Sequence, residues 1–262
     1  SAAVDVSTQN TTQIMNIVDS QLNNFGAVEG KSSGDVFNRV TTWVKGLFNR
    51  AELDRTSRQA GYKADTEGVA MGIDKQVTDE AKVGLGYAYS TTDLKKNVKK
   101  TDIDTHTAVL YGQYKPSDVY FNGIAAYGWS DYDAKTSAYG YGVNGKYDVN
   151  TFGVQAMAGY DFGKFAPEIG LRYFNVKQDG YTDTAGQRVG KNNSDVLTAV
   201  LAAKYQDNIC LENGMVLKPS ARLAATYDLA GDKANSVVSL ANGSGYIVDG
   251  ERLDKFGIEV GA

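Results

Sequence analysis

The chain has 262 residues, 42% of them hydrophobic, with a formal charge of -4 and a pI near 5.1. A broad nucleic-acid-binding face would need a basic excess, which this balance excludes as a general role. Mean hydropathy is -0.36 and no apolar run approaches the roughly 20 residues that a spanning helix needs, so a helical membrane protein is excluded as well.

The remaining inventory points to strands. There are 29 Gly and 17 Tyr against 3 Pro. Tyrosine suits pleated surfaces and the membrane–water interface, and glycine lets strands bend around a barrel. Cys210 is the single cysteine, so no internal disulfide can form. The chain opens on polar residues at Ser1, which predicts either a leader already removed or a piece of something longer.

In chain order, the first periodic segment is residues 12–25. There Ile14, Ile17, Val18, Leu22 and Phe25 recur at spacings of three and four, predicting a short helix with one apolar stripe. It is too short and too polar to span lipid. Two placements fit: threaded inside a polar lumen, or held below it as a periplasmic plug or stub.

From there the period becomes two. Around 83–90, Val83, Leu85, Tyr87 and Tyr89 alternate with Gly84, Gly86, Ala88 and Ser90. Phe152, Val154, Ala156, Ala158, Tyr160 and Phe162 form a second series, opposed by Thr151, Gln155, Gly159 and Asp161. Ile169, Leu171 and Tyr173 alternate with Glu168, Gly170 and Arg172. Leu217, Ala221, Leu223, Ala225 and Tyr227 fall outward, with Lys218, Ser220, Arg222, Thr226 and Asp228 inward. Phe256, Ile258 and Val260 oppose Lys255 and Glu259. Charges repeated on one face of apolar strands would be expensive in a packed core and favour a wet lumen.

Further strands are predicted at 39–48, where Lys45 faces inward, and at 67–75, 105–114, 119–130 and 196–205, making ten. Connections alternate in length. Those at 76–80, 115–118, 163–165 and 206–214 are short; those at 49–66, 91–104, 131–147, 176–194 and 229–252 are long and polar. Short periplasmic turns alternating with long outer loops are the habit of outer-membrane barrels. Lys95, Lys96, Lys99 and Lys100 then sit at a solvated loop tip, with anionic lipid headgroups or a partner as the sharper reading. Pro219 and Pro167 are expected near strand starts or bulges, since proline lacks a ladder donor.

A polar segment, a short helix and a Trp-bearing first strand with long outer loops resemble the autotransporter β-domain of type V secretion in Gram-negative outer membranes. The motifs that carry this are Thr42-Trp43-Val44-Lys45-Gly46, Gly68-Val69-Ala70-Met71-Gly72-Ile73-Asp74, Val83-Gly84-Leu85-Gly86-Tyr87, Leu110-Tyr111-Gly112-Gln113-Tyr114 and Ala166-Pro167-Glu168-Ile169-Gly170-Leu171-Arg172-Tyr173.

The resemblance implies a twelve-stranded antiparallel transmembrane barrel, all-β, with about ten strands in this chain and the helix in its lumen. It divides the chain into linker and pore helix over 1–35 and translocator barrel over 36–262. The implied partners are outer-membrane lipid, an N-terminal passenger displayed at the cell surface, and the barrel assembly machinery. Family members end on two further strands and a terminal aromatic residue, whereas this chain stops at Gly261-Ala262, so truncation is expected. A complete smaller barrel, and a stand-alone pore or adhesin without a passenger, stay open as alternatives. Some members cleave their passenger between adjacent asparagines in the helix. Asn23-Asn24 is the candidate pair here, although a helix C-terminus before Phe25-Gly26 is the plainer reading.

An enzyme is not expected. His106 is the only histidine, with Asp102 and Asp104 just before it, and a polar interface residue is the plainer reading than a catalytic pair. Neither metal-ligand spacing nor a nucleotide loop is present, so no metal or cofactor is expected.

Overall fold

The computed structural model describes residues 2–22, 40–53, 61–96, 99–138, 141–231 without 183, 185, 187 and 218, then 236–239, 245–248 and 256–261. Among the described residues, one helix, α1 (Ala2–Leu22), precedes ten strands of a single antiparallel sheet. The first five are β1 (Val40–Leu53), β2 (Tyr62–Gln76), β3 (Ala81–Lys96), β4 (Lys99–Tyr114) and β5 (Val119–Ala138). They continue as β6 (Tyr141–Tyr160), β7 (Phe165–Gln178), β8 (Asn192–Gln206), β9 (Ser220–Gly231) and β10 (Phe256–Gly261). Each strand pairs with its neighbours in sequence, an up-and-down meander. Small hairpins with ladders of their own lie at Tyr181–Thr182 with Arg188–Val189, Ile209–Cys210 with Val216–Leu217, and Ser236–Ser239 with Gly245–Val248, the last running beside β1 and β10.

The sheet curls around the helix. Side chains of α1 meet β1, β3, β5, β7 and β8, which an open, flat sheet could not bring to one helix. Glycines permit the close approach of aromatic rings to the inner wall. A Cβ on Gly72 would lie 2.4 Å from Trp43, and one on Gly84 would lie 2.3 Å from Tyr111.

The outer face is apolar. Val44 is 72% exposed, Ile169 64%, Leu85 61% and Leu201 61%, while the alternating inner residues Ala70, Ala88, Val200 and Ala224 are buried. In water a continuous apolar belt of this extent would be a liability; in lipid it is what a barrel presents. Aromatic rows mark both edges of the belt. Tyr114 stacks on Phe121 at one edge, with ring centroids 6.5 Å apart. At the other, Tyr89, His106 and Trp129 are consecutive register partners, His106 lying flat on Trp129 at 6.0 Å and hydrogen-bonded to Tyr87. Eight residue steps along β5 separate Phe121 from Trp129, about 27 Å along the strand and about 20 Å across the membrane at a tilt of roughly 40°.

The strands run further than hydrophobic alternation predicts. Residues 91–104 and 131–147, expected as loops, are almost entirely strand: β3 and β4 extend to Lys96 and Lys99, and β5 and β6 to Ala138 and Tyr141. Above the aromatic row the outer face no longer has to be apolar, so the period-two signal fades while backbone pairing continues. The inner face stays buried there, at Thr92, Leu94, Thr101, Ile103, Tyr132 and Ala134. The proline positions obey ladder chemistry. Pro219 precedes β9, and the pairing of β6 with β7 ends at Gly159 opposite Glu168, one residue short of Pro167. Leu217, expected to begin the ninth strand, pairs instead with Ile209 in a short hairpin in which Val216 pairs with Cys210.

Candidate functional site

The site is the barrel interior and the helix within it. Helix α1 starts ten residues earlier than the apolar stripe predicts, at Ala2 in place of residue 12, and is described to Leu22. Its N-terminal half has no stripe: Val6 alone joins a second apolar cluster, with Leu94, Ile103 and Val149 among its members, and the polar side chains of the helix find polar partners on the wall. Ser7 Oγ lies 2.8 Å from the Tyr132 hydroxyl, and Asn10 Nδ2 donates to Ser90 Oγ at 2.8 Å. Gln13 Nε2 donates to the Phe48 carbonyl, and Arg172 donates to both Asn16 Oδ1 at 3.2 Å and Gln155 Oε1 at 2.8 Å. A polar helix is tolerable in this interior because the wall supplies matching partners.

The apolar stripe is buried over its described residues, Phe25 lying outside them. Ile14, Ile17, Val18 and Leu22 are each at most 2% exposed and share one apolar cluster with Met15, Trp43, Leu47, Val109, Tyr111, Ile124 and Phe174. Trp43 Nε1 donates to the Tyr111 hydroxyl at 2.9 Å, which donates to Asp74 Oδ2 at 2.8 Å. Tyr111→Phe removes both bonds and leaves a buried carboxylate short of a donor, an expected cost of about 1–3 kcal/mol. A lower midpoint for heat-induced unfolding on a gel checks this; an unchanged midpoint contradicts it.

The helix ends in a balanced cluster of four charges. Lys204 Nζ reaches Asp19 Oδ2 and Glu168 Oε2, each at 2.6 Å, and the Asp19 carbonyl at 3.0 Å, which uses all three ammonium hydrogens. Asn122 Nδ2 donates to Asp19 Oδ1 at 2.8 Å, and the Tyr120 hydroxyl donates to Glu168 Oε2 at 2.9 Å. Arg222 Nε stands 3.9 Å from Asp19 Oδ2. Two carboxylates and two cations, each at most 4% exposed by residue, therefore neutralise one another between α1, β7, β8 and β9.

These contacts orient the helix. Ser7 meets Tyr132 near the far end of β5, whereas Asp19 meets Asn122 near its start, beside the short turn at 115–118. Twelve helical residues cover about 18 Å. Ten residues of a strand tilted by roughly 40° cover about 25 Å. α1 thus runs along the barrel axis, its N-terminus towards the long hairpins and its C-terminus towards the short turns.

Of the residues assigned to the inner wall from the sequence, Glu168, Arg172 and Arg222 lie against α1 or its charge cluster, and Lys45 is half-buried on the face of β1 that carries Trp43 and Leu47. Glu259 occupies the register position opposite Ala224. Lys218, Lys255 and the pair Asn23-Asn24 lie outside the described residues, as does the 35/36 boundary. The wall around the helix is less wet than charge alternation suggests, because α1 seals it. Cysteines replacing Leu171 or Leu223, both exposed on the outer face, should react with a bilayer-confined reagent. Cysteines replacing Arg172 or Arg222 should stay shielded from a water-soluble one until α1 is removed; equal reactivity before and after removal would contradict this placement. Sequence reasoning missed Asp19, Lys204 and Asn122. The signal for Lys204 was its parity, as the lone charge on the inward series Thr198, Val200, Ala202 of β8.

A helix-filled, lipid-facing meander of this geometry has known counterparts. The family described as Autotransporter beta-domain matches residues 42–262. The chain belongs to this family. Its placement is therefore the outer membrane, and its architecture the antiparallel barrel with an N-terminal helix in the lumen. Outer membrane protein B of Rickettsia typhi is 29% identical over 258 residues, 88% of this chain, but the chain spans only 16% of that relative. Among solved structures, the translocator domain of the autotransporter NalP from Neisseria meningitidis has a TM-score of 0.72 at 16% identity, covering 88% of this chain and 79% of its own. The β-domain of the Bordetella autotransporter BrkA has a TM-score of 0.58 at 17% identity, over 72% of this chain and 79% of that one. Both likenesses concern the fold.

Proposed function

We propose that this autotransporter β-domain delivers an N-terminal passenger to the cell surface and anchors it there, without enzymatic chemistry of its own. The observation that carries this reading is the direction of α1. A chain entering at Asp19 and leaving past Ser7 emerges among the long hairpins, so whatever precedes Ala2 is led to that side. The polar partners along the wall suit a strand of passenger as well as a helix, since serine, threonine and glutamine side chains accept many sequences. The four-charge cluster then holds the last-arriving segment in place and closes the pore. Assembly into the membrane falls to the barrel assembly machinery, and surrounding lipid holds the apolar belt. Cleavage between Asn23 and Asn24 would sever the covalent link from the barrel to α1 and the passenger, leaving the contacts of α1 as what holds the passenger.

The test is a reporter domain placed before Ala2 in the full-length protein. Digestion of the reporter by protease added to intact cells is the expected result. A reporter protected in the periplasm beside a fully assembled barrel would contradict delivery and favour a stand-alone pore or adhesin.

A further inference from the structure

The outer face above the aromatic row carries an ordered pattern of charge. Lys63 pairs in register with Lys95, Lys95 with Lys100, and Lys100 with Lys135, so one row of four lysines crosses β2 to β5. Two residues nearer the membrane the same strands place Asp65, Asp93, Asp102 and Asp133 in a row. Two residues nearer still are Glu67, Asp104 and Asp131, with Asp148 beside them on β6. Residues directly opposite in an antiparallel pair share a face, and here it is the outward one, since Ala64, Leu94, Thr101 and Ala134 between these rows are buried.

Like charges directly across a strand pair are destabilising, and this row makes the same unfavourable pairing three times. The aspartates beneath offset it only weakly. Lys100 Nζ stands 3.8 Å from Asp102 Oδ1, and both side chains are about half exposed. Asp65 is drawn the other way, to Arg50 at 2.7 Å. The acidic rows are themselves crowded: a hydrogen bond that the protonated Asp148 donates to Asp131, partial desolvation and the nearby carboxylates of Asp131 and Asp179 hold Asp148 above its ordinary range.

Height selects the anion. Six residue steps from Trp129 to Lys135 place the lysines about 15 Å above the interface, allowing about 3.3 Å per residue and a tilt of roughly 40°. A phospholipid headgroup layer is only about 5–8 Å deep. Its phosphates would face the carboxylate rows and be repelled, whereas a phosphate carried on an extended sugar headgroup would reach the lysines. We propose that Lys63, Lys95, Lys100 and Lys135 form a binding surface for a phosphorylated oligosaccharide headgroup of outer-leaflet glycolipid. The carboxylate rows below act as a spacer that rejects short anionic headgroups.

The probe is lipopolysaccharide with a phosphorylated core, set against lipopolysaccharide that keeps its lipid A phosphates but lacks core phosphate, and against phosphatidylglycerol. Full-length protein in phosphatidylethanolamine vesicles is re-extracted, and retained glycolipid is counted per barrel. Wild type should retain the phosphorylated-core form preferentially. Changing all four lysines to Gln should cut retention by at least about tenfold, less than four cations near an anionic surface can supply. The fourfold Arg variant should keep it, and K95Q with K100Q alone serves if the fourfold Gln protein does not assemble. Equal retention by wild type and the Gln variants, equal retention of the core-dephosphorylated form or of phosphatidylglycerol, or no retention by wild type would overturn the proposal.

Discussion

Deleting residues 2–22 from the full-length protein is expected to turn a nearly closed barrel into an open channel, with single-channel conductance rising several-fold. A helix with its side chains is about 10–12 Å across, comparable to the bore of a barrel of this size. Ions now meet Ile14, Met15, Ile17, Val18 and Leu22 packed on Trp43, Leu47 and Phe174; without them they meet a wall carrying Arg172, Lys204, Arg222 and Glu168. Stability should fall in the same experiment. Burial of those five side chains contributes on the order of 10 kcal/mol before the cost of ordering the helix, so the heat-unfolding midpoint should drop sharply. Unchanged conductance in planar bilayers would mean that the pore is not closed by α1.

The second large effect is electrostatic. Lys204→Met removes the cation that serves both Asp19 and Glu168, leaving Arg222 alone against two buried carboxylates. Breaking a buried charge group by removing one partner costs about 3–5 kcal/mol. Adding Glu168→Gln restores one carboxylate against one guanidinium and should recover most of the loss. Thermal gel-shift midpoints of the single and double variants measure this. A double variant less stable than the single one would contradict a balanced cluster and make Lys204 a mere packing residue.

Strand alternation was readable because lipid demands an apolar outer face on every residue of one parity, as at Ile169 and Leu171 beside Glu168 and Arg172. Where that demand ends, the signal ends too: the hairpins at 91–104 and 131–147 are strands whose two faces are charged row and buried threonine or tyrosine, a pattern that reads as loop. The helix was legible only over its apolar turns. Ser7 and Asn10 face Tyr132 and Ser90, and Val6 packs in a separate apolar cluster, so the first turns carry no continuation of the stripe. The charge cluster joins positions 19, 168, 204 and 222, and no local pattern links residues so far apart. Glu168 and Arg222 could be assigned to the wall by parity, but their partner on the helix could not.

A short bifunctional thiol reagent applied to intact outer membranes tests the central claim, that α1 threads the barrel with its N-terminus outward. Asn10→Cys paired with Ser90→Cys should cross-link in high yield, because these side chains touch at 2.8 Å. Asn10→Cys paired with Lys204→Cys should not, since Lys204 meets the helix at Asp19, nine residues or about 14 Å further along. Cross-linking of the second pair in place of the first would show a helix of opposite direction, and cross-linking of neither would place α1 outside the lumen.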